Sequence, residues 1–180
     1  MAVKPVLHID NQILRKKTLP VSKIDRSVLM LVDDLLDTLE KLDGVGLAAP
    51  QIGVSLRVAA LWMPENDPII LINPVIIKRI GTRCIDEGCL SLPGYQGNVK
   101  RSVSVTAKWI DLDGRSVKIR AEDLMAQALE HEIDHLDGVL FTDHMESPSK
   151  LHKVEPKAPS ESDSEPHDNE GIAEAGLSTK

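Results

Sequence analysis

EDLMAQALEHEIDHLDG, residues 122–138, is the stretch on which the reading of this chain turns. Acids open it, Leu124, Ala128, His131 and His135 fall near one helical stripe, and Gly138 stands just past its last periodic residue. That pattern predicts an amphipathic helix from about Glu122 to Leu136. Residues four apart share a helix face, so His131 and His135 can offer two imidazoles to one cation. Glu132, beside the first, can take a proton from a water held there. The competing reading is a pair of solvated histidines on a charged face. It is weakened because the histidines continue an apolar stripe inward, where an imidazole has to find a partner. Asp134 and Asp137 project elsewhere and read as solvated surface acids or as groups behind the ligands.

A hydrolytic metal centre commonly has three protein ligands and one open position, so a third ligand is needed. Continued in the metzincin manner, the motif supplies Gly138 but places Phe141 where a third histidine belongs, which excludes that family. His144 is out of step, and Glu146 and Glu155 lie at the edge of a polar tail. The better candidate is upstream, in DEGCLSLPG, residues 86–94. Cys89 follows Gly88, which permits close backbone approach, and a thiolate is a strong ligand for borderline and soft divalent metals. The alternative for any cysteine is a small buried apolar thiol, and Cys84 is left with that reading.

Outward from this site, Val28, Leu31, Val32, Leu35, Leu36, Leu39 and Leu42 recur at helical spacing with acids between them, and Gly44 marks a stop. SLRVAALWM (55–63) and IILINPVIIKRI (69–80) read as strands, the second interrupted by Pro74. Alternation at Val103, Val105, Ala107 and Trp109, a turn at Asp113-Gly114, and Val117 and Ile119 on the return predict a hairpin. Strands bracketed by two helices, with no repeating strand–helix rhythm, indicate an α+β domain.

GVGLAAPQIG (44–53) formally fits a dinucleotide fingerprint, but a helix precedes it, a strand follows, and Pro50 obstructs a helix through it. It is read as a loop of small residues exposing backbone groups, with Gln51 able to donate a hydrogen bond to an oxyanion.

Composition sets the remaining bounds. The net charge of −7 and only four aromatic residues argue against direct nucleic-acid binding. Lys4, His8 and Asp10 interrupt the opening stretch before an export region can form, and no segment approaches the roughly 20 apolar residues of a membrane span. Two cysteines make a disulfide framework improbable and a reducing cytoplasm the default location. Residues 1–146 are expected to form one catalytic domain. Residues 147–180 carry four lysines against seven Asp and Glu and almost no large apolar residues, and are expected to be an acidic disordered tail.

GVGLAAPQ, EGCLS and HEIDHL standing in this order, over roughly residues 4–145, resemble a bacterial-type peptide deformylase of the shorter, type 1-like class. The resemblance implies small antiparallel sheets around a central metal-bearing helix, with Cys89, His131 and His135 as ligands. It implies Fe(II) as the usual ion, with Ni, Co or Zn tolerated. The implied reaction is hydrolysis of the N-terminal formyl group from formylmethionine of newly made polypeptides, releasing formate. Metal-bound water would attack the formyl carbon with Glu132 as general acid/base, while the Gln51 side chain and the Leu90 N–H stabilise the oxyanion. Backbone pairing of the peptide would involve Val45, Gly46 and Gly88. A methionine pocket would draw on Val45, Ile85, Leu124 and Ala128, each more simply read as core packing. A Glu87–Arg101 pair would fix the cysteine loop.

Two positions depart from the family's pattern. Glu130 stands where glutamine is common, and Gln96 where many members of the shorter type carry an arginine. The acidic tail should be repelled by ribosomal RNA, so any transient ribosome association would use another surface. Two competing functions are a zinc endopeptidase built on His131 and His135, disfavoured by the cysteine, and a non-catalytic peptide-binding module, disfavoured by intact Glu132 and Gln51.

Overall fold

Asp25 opens the first helix: its carboxylate accepts hydrogen bonds from the backbone N–H of Ser27 and Val28 at 2.9 and 3.3 Å, satisfying donors that a helix start leaves unpaired. In the computed structural model, which describes residues 2–147 and 151–154, this helix, α1, runs Arg26–Lys41 and buries Val28, Leu31, Val32, Leu35 and Leu39. The periodic residues therefore face a core, with Leu36 at its margin, except Leu42, which caps the helix and is 43% exposed.

That core is one face of a five-stranded sheet of β1 (Gly46–Ala48), β2 (Val58–Leu61), β3 (Ile69–Ile80), β6 (Ser104–Ile110) and β7 (Ser116–Glu122), paired antiparallel in the order β1-β2-β3-β6-β7. The opposite face carries the second helix, α2 (Asp123–Asp137), packed on Leu61, Leu71, Val105, Ala107 and Trp109. β2 shows the two-sidedness in four residues: Val58 and Ala60 join the α1 cluster, Ala59 and Leu61 the α2 cluster. The alternation seen in its sequence is thus incidental, since both faces are buried.

β3 passes through Pro74 without breaking. Its register slips between Ile72 and Val75, so the residue lacking an N–H sits in a bulge, and the Pro74 carbonyl accepts from the Arg57 guanidinium. The expected hairpin is β6–β7, with Gly114 at φ 78° in its turn. α2 stops where Gly138 takes φ 77°, and a side chain there would lie 2.7 Å from the Arg15 carbonyl.

A second sheet, β4 (Arg83–Cys89), β5 (Leu92–Arg101) and β8 (Leu151–Lys153), ordered β4-β5-β8, closes over the other side of α2. No alternation is legible for β4 and β5, because Val99 is the one large apolar residue among inward positions otherwise taken by Glu87, Gly97 and Arg101. β8 corrects the reading of the tail as disordered from residue 147. Residues 151–153 pair with Tyr95, Gln96 and Gly97, through main-chain bonds that need no apolar composition. The disorder expected for 155–180 lies outside the described residues. GVGLAAPQIG is likewise not all loop: its middle is the edge strand β1, followed by a 3-10 turn at Ala49–Ile52.

Candidate metal centre

α2 carries His131 and His135 one turn apart on the same face, their rings edge-to-face with centroids 4.8 Å apart. β4 delivers Cys89 at its last position, just past a register shift at Gly88, and places Sγ 3.2 Å from His135 Nε2. The donor atoms of Cys89, His131 and His135 all lie within 4.8 Å of one another. Among the described residues, His135 Nδ1 is buried without a hydrogen-bond partner. Burial, reinforced by the neighbouring His131, holds the His135 imidazole well below its usual pKa and so neutral, the form that ligates.

The ring of His131 is fixed from behind. Its Nδ1 lies 2.6 Å from Glu87 Oε1, which turns Nε2 toward Cys89 and His135. Glu87 is 3% exposed and accepts from Arg101 Nε and Nη2 at 2.9 and 2.7 Å. Burial alone would raise the Glu87 carboxyl, but the His131 and Arg101 hydrogen bonds outweigh it and bring the pKa down to about 2. Arg101 also pairs with Asp134, which in turn meets His144 Nε2 at 2.8 Å. The expected Glu87–Arg101 pair is therefore buried and part of a longer chain. Of the two readings for Asp134, that of a group behind the ligands holds and that of a solvated acid does not. Asp137 is also engaged, by both terminal nitrogens of Arg57.

Glu132 sits on the same helix face, 2% exposed, with Oε2 unpartnered among the described residues. Burial, the largest influence, pushes its carboxyl up to about 7 despite the lowering effect of His131, which suits a group that both accepts and returns a proton near neutrality. Gly46 of β1 packs directly over it: a Cβ at that position would collide with Glu132 Oε1. The glycine is thus needed for room rather than for an unusual backbone angle.

Gln51 is almost fully buried. Its Oε1 accepts from Ala48 N at 2.8 Å, which turns Nε2 toward Ser91 Oγ at 3.2 Å and Cys89 Sγ at 3.5 Å. An amide donor is therefore aimed into the site. Ser91, whose own N–H lies 3.4 Å from the sulfur, was missed in the sequence; its only signal was adjacency to Cys89 in EGCLS. Leu90 is half-buried beside Gly44.

The residues expected to bind substrate divide. Ala128 is buried, while Val45 and Ile85 are partly buried. Leu124 is 44% exposed in the first turn of α2, so core packing is the wrong reading for it. The Val45 carbonyl accepts from Trp62 N at 2.8 Å, so strand alternation turns the N–H and C=O of Gly46 toward the open edge of β1. Gly88 lies on β4, the edge strand of the second sheet. Gln96 pairs opposite Gly88 and packs against it, so a neutral amide occupies that place. Cys84 is exposed rather than buried, and no ligand.

A half-buried thiol, two buried imidazoles and a buried carboxylate poised near neutrality make the pattern of a mononuclear metal-dependent hydrolase centre. Residues 3–151 match the model of the polypeptide deformylase family. The chain is 46% identical to a peptide deformylase of Dehalococcoides mccartyi over 87% of its own length and 94% of that protein's. A crystal structure of a peptide deformylase from Legionella pneumophila superposes with a TM-score of 0.79 at 42% identity, covering 83% of this chain and 89% of that one. A class I type b peptide deformylase from Acinetobacter baumannii with Met-Ala-Ser bound gives a TM-score of 0.76 at 31% identity, covering 80% and 99%. The chain belongs to the polypeptide deformylase family, a family of metal-dependent hydrolases that remove the formyl group from the N-termini of nascent polypeptides.

Proposed function

We propose that Cys89, His131 and His135 hold one Fe(II) ion and that Glu132 moves the protons as the chain deformylates peptides beginning with formylmethionine. The observation that carries this is the convergence of three donor atoms with a buried carboxylate that has an unpartnered oxygen. The donor set fits: one soft thiolate and two imidazoles suit Fe(II), and equally Ni, Co or Zn. A divalent ion there supplies an acidified water and a polarised formyl oxygen.

The protein's own residues do the rest. Glu132 takes a proton at Oε2 and passes it to the leaving amine, an exchange its raised pKa makes nearly balanced at neutral pH. Gln51 Nε2, oriented by Ala48, donates to the oxygen that gains charge, joined by the Leu90 N–H. Among the described residues the edges of β1 and β4 have no strand partner on their open sides, and an extended peptide lying along them would pair with the backbone of Gly46 and Gly88 irrespective of most side chains. Val45, Ile85 and Ala128, with Leu124 at the rim, line the methionine position. The Met-Ala-Ser bound to the Acinetobacter relative agrees with such a substrate.

Among the described residues no helix is long and apolar enough to cross a membrane. The proposed setting is the cytoplasm, with any transient ribosome contact made away from the acidic tail. Formate release from a formyl-Met tripeptide by protein prepared without oxygen tests the reading. Cleavage of unformylated internal bonds instead would support the endopeptidase.

A further inference from the structure

Glu130 is the carboxylate that the family pattern does not lead one to expect, and it is 5% exposed at the side chain. It is not idle there. Arg79 Nε donates to its Oε1 at 2.9 Å, Ser102 N to its Oε2 at 2.8 Å and Ser102 Oγ to its Oε1 at 3.0 Å. Arg79 reaches it because the two register shifts in β3 leave that residue opposite inward-facing Val105, on the face that carries α2.

Ser102 is the corner between β5 and β6, and its neighbour Arg101 is the residue that grips Glu87. Glu130 and Asp134 stand one turn apart on α2, and between them they hold this corner, the first through Ser102 and the second through Arg101. Two sets of polar contacts, Arg79–Glu130–Ser102 and Arg101–Glu87–His131 Nδ1, are therefore joined by the peptide bond between Arg101 and Ser102.

We propose that Glu130 and Arg79 are a positioning pair, which sets the orientation of the His131 ring by docking the Arg101–Ser102 corner onto α2. Removing Arg79 alone leaves a buried carboxylate without its cation, and the corner shifts as that carboxylate seeks solvent. Replacing both partners by amides removes the uncompensated charge, keeps the shape at buried Glu130 and shortens only the half-exposed Arg79 side chain. The inference rests on the metal-binding reading of Cys89, His131 and His135.

The test is Co(II) titration of the metal-free full chain, following both affinity and the Co(II)–thiolate absorption band, for the parent, Arg79→Gln and Arg79→Gln/Glu130→Gln. Arg79→Gln should weaken Co(II) binding by about tenfold and move the band, and the double variant should return both to within about threefold of the parent. A purely structural pair would lower the unfolding temperature without altering the band. A change in Co(II) affinity under about twofold, or a double variant no tighter than Arg79→Gln, overturns the proposal. If Arg79→Gln does not fold, Ser102→Ala, which removes only the hydroxyl bond, carries the same comparison. A parent that takes up no Co(II) overturns the metal reading itself; a parent that binds it while the variants match it overturns this inference alone.

Discussion

Glu132 concentrates the chemistry in one side chain. Its carboxyl has no room to leave, with Gly46 closing over one oxygen and the other left for substrate or water. Glu132→Gln keeps the volume and removes the proton transfer, so turnover should fall at least about a hundredfold while metal content, measured by elemental analysis, stays at the parent level. Gly46→Ala should have the opposite signature of cause: the added methyl displaces an intact carboxylate, so activity drops although the acid remains, and a crystal structure would show Glu132 moved. The metal-free chain gives a pH test. Glu132 titrates near 7 when folded against 4.5 in the unfolded reference, so between those values the folded chain holds a proton that the unfolded chain has released. Glu132's own share is therefore a fall in stability as pH rises through that window, on the order of 3 kcal/mol, superposed on the titration of His131 and His135, and it should appear as the difference between the parent and Glu132→Gln. Thermal unfolding of both proteins across the window, with chelator present, compares them.

Among the elements, those whose burial is apolar were readable and those whose burial is polar were not. α1, α2 and the β6–β7 hairpin announce themselves because leucines, valines and Trp109 face cores at helical or strand spacing. β4 and β5 hide because Val99 alone is large and apolar on an inner face shared with Gly97, Glu87 and Arg101, and the last two are held there by each other's charge. β1 hides because Gly46 is small to make room for Glu132, which looks in sequence like a flexible loop. Of the candidate site, the Cys89, His131 and His135 cluster and Glu132 were legible from spacing and from resemblance, whereas Ser91, Arg79 and Ser102 were not, since nothing local marks a side chain that bonds across sheets. Arg101 ties these elements together. Arg101→Ala strands the Glu87 and Asp134 carboxylates in a buried setting and should cost about 3–5 kcal/mol of stability by urea unfolding. Ending the chain after Ser147 removes β8 and its main-chain bonds to β5. It should cost about 1–2 kcal/mol and leave formate release within about twofold, since β8 supplies no ligand.

At the scale of the whole molecule, α2 is held between two sheets whose open edges, β1 and β4, flank it, and this is what converts a short helical motif into a site. The five-stranded sheet supplies the apolar support under α2, the three-stranded sheet supplies Cys89 and the Glu87–Arg101 clamp, and neither alone completes the donor set. The net charge of −7 disfavours a polyanion as partner, in keeping with a family that acts on formylated nascent peptides. The central claim is that one divalent ion on Cys89, His131 and His135 is required for deformylation. Formate release from formyl-Met-Ala-Ser, followed as Fe(II) is titrated into metal-free protein without oxygen, tests it most directly. Release should rise from nothing and saturate at one ion per chain. Release that persists in chelator without added metal, or that stays absent at full metal loading, would contradict it.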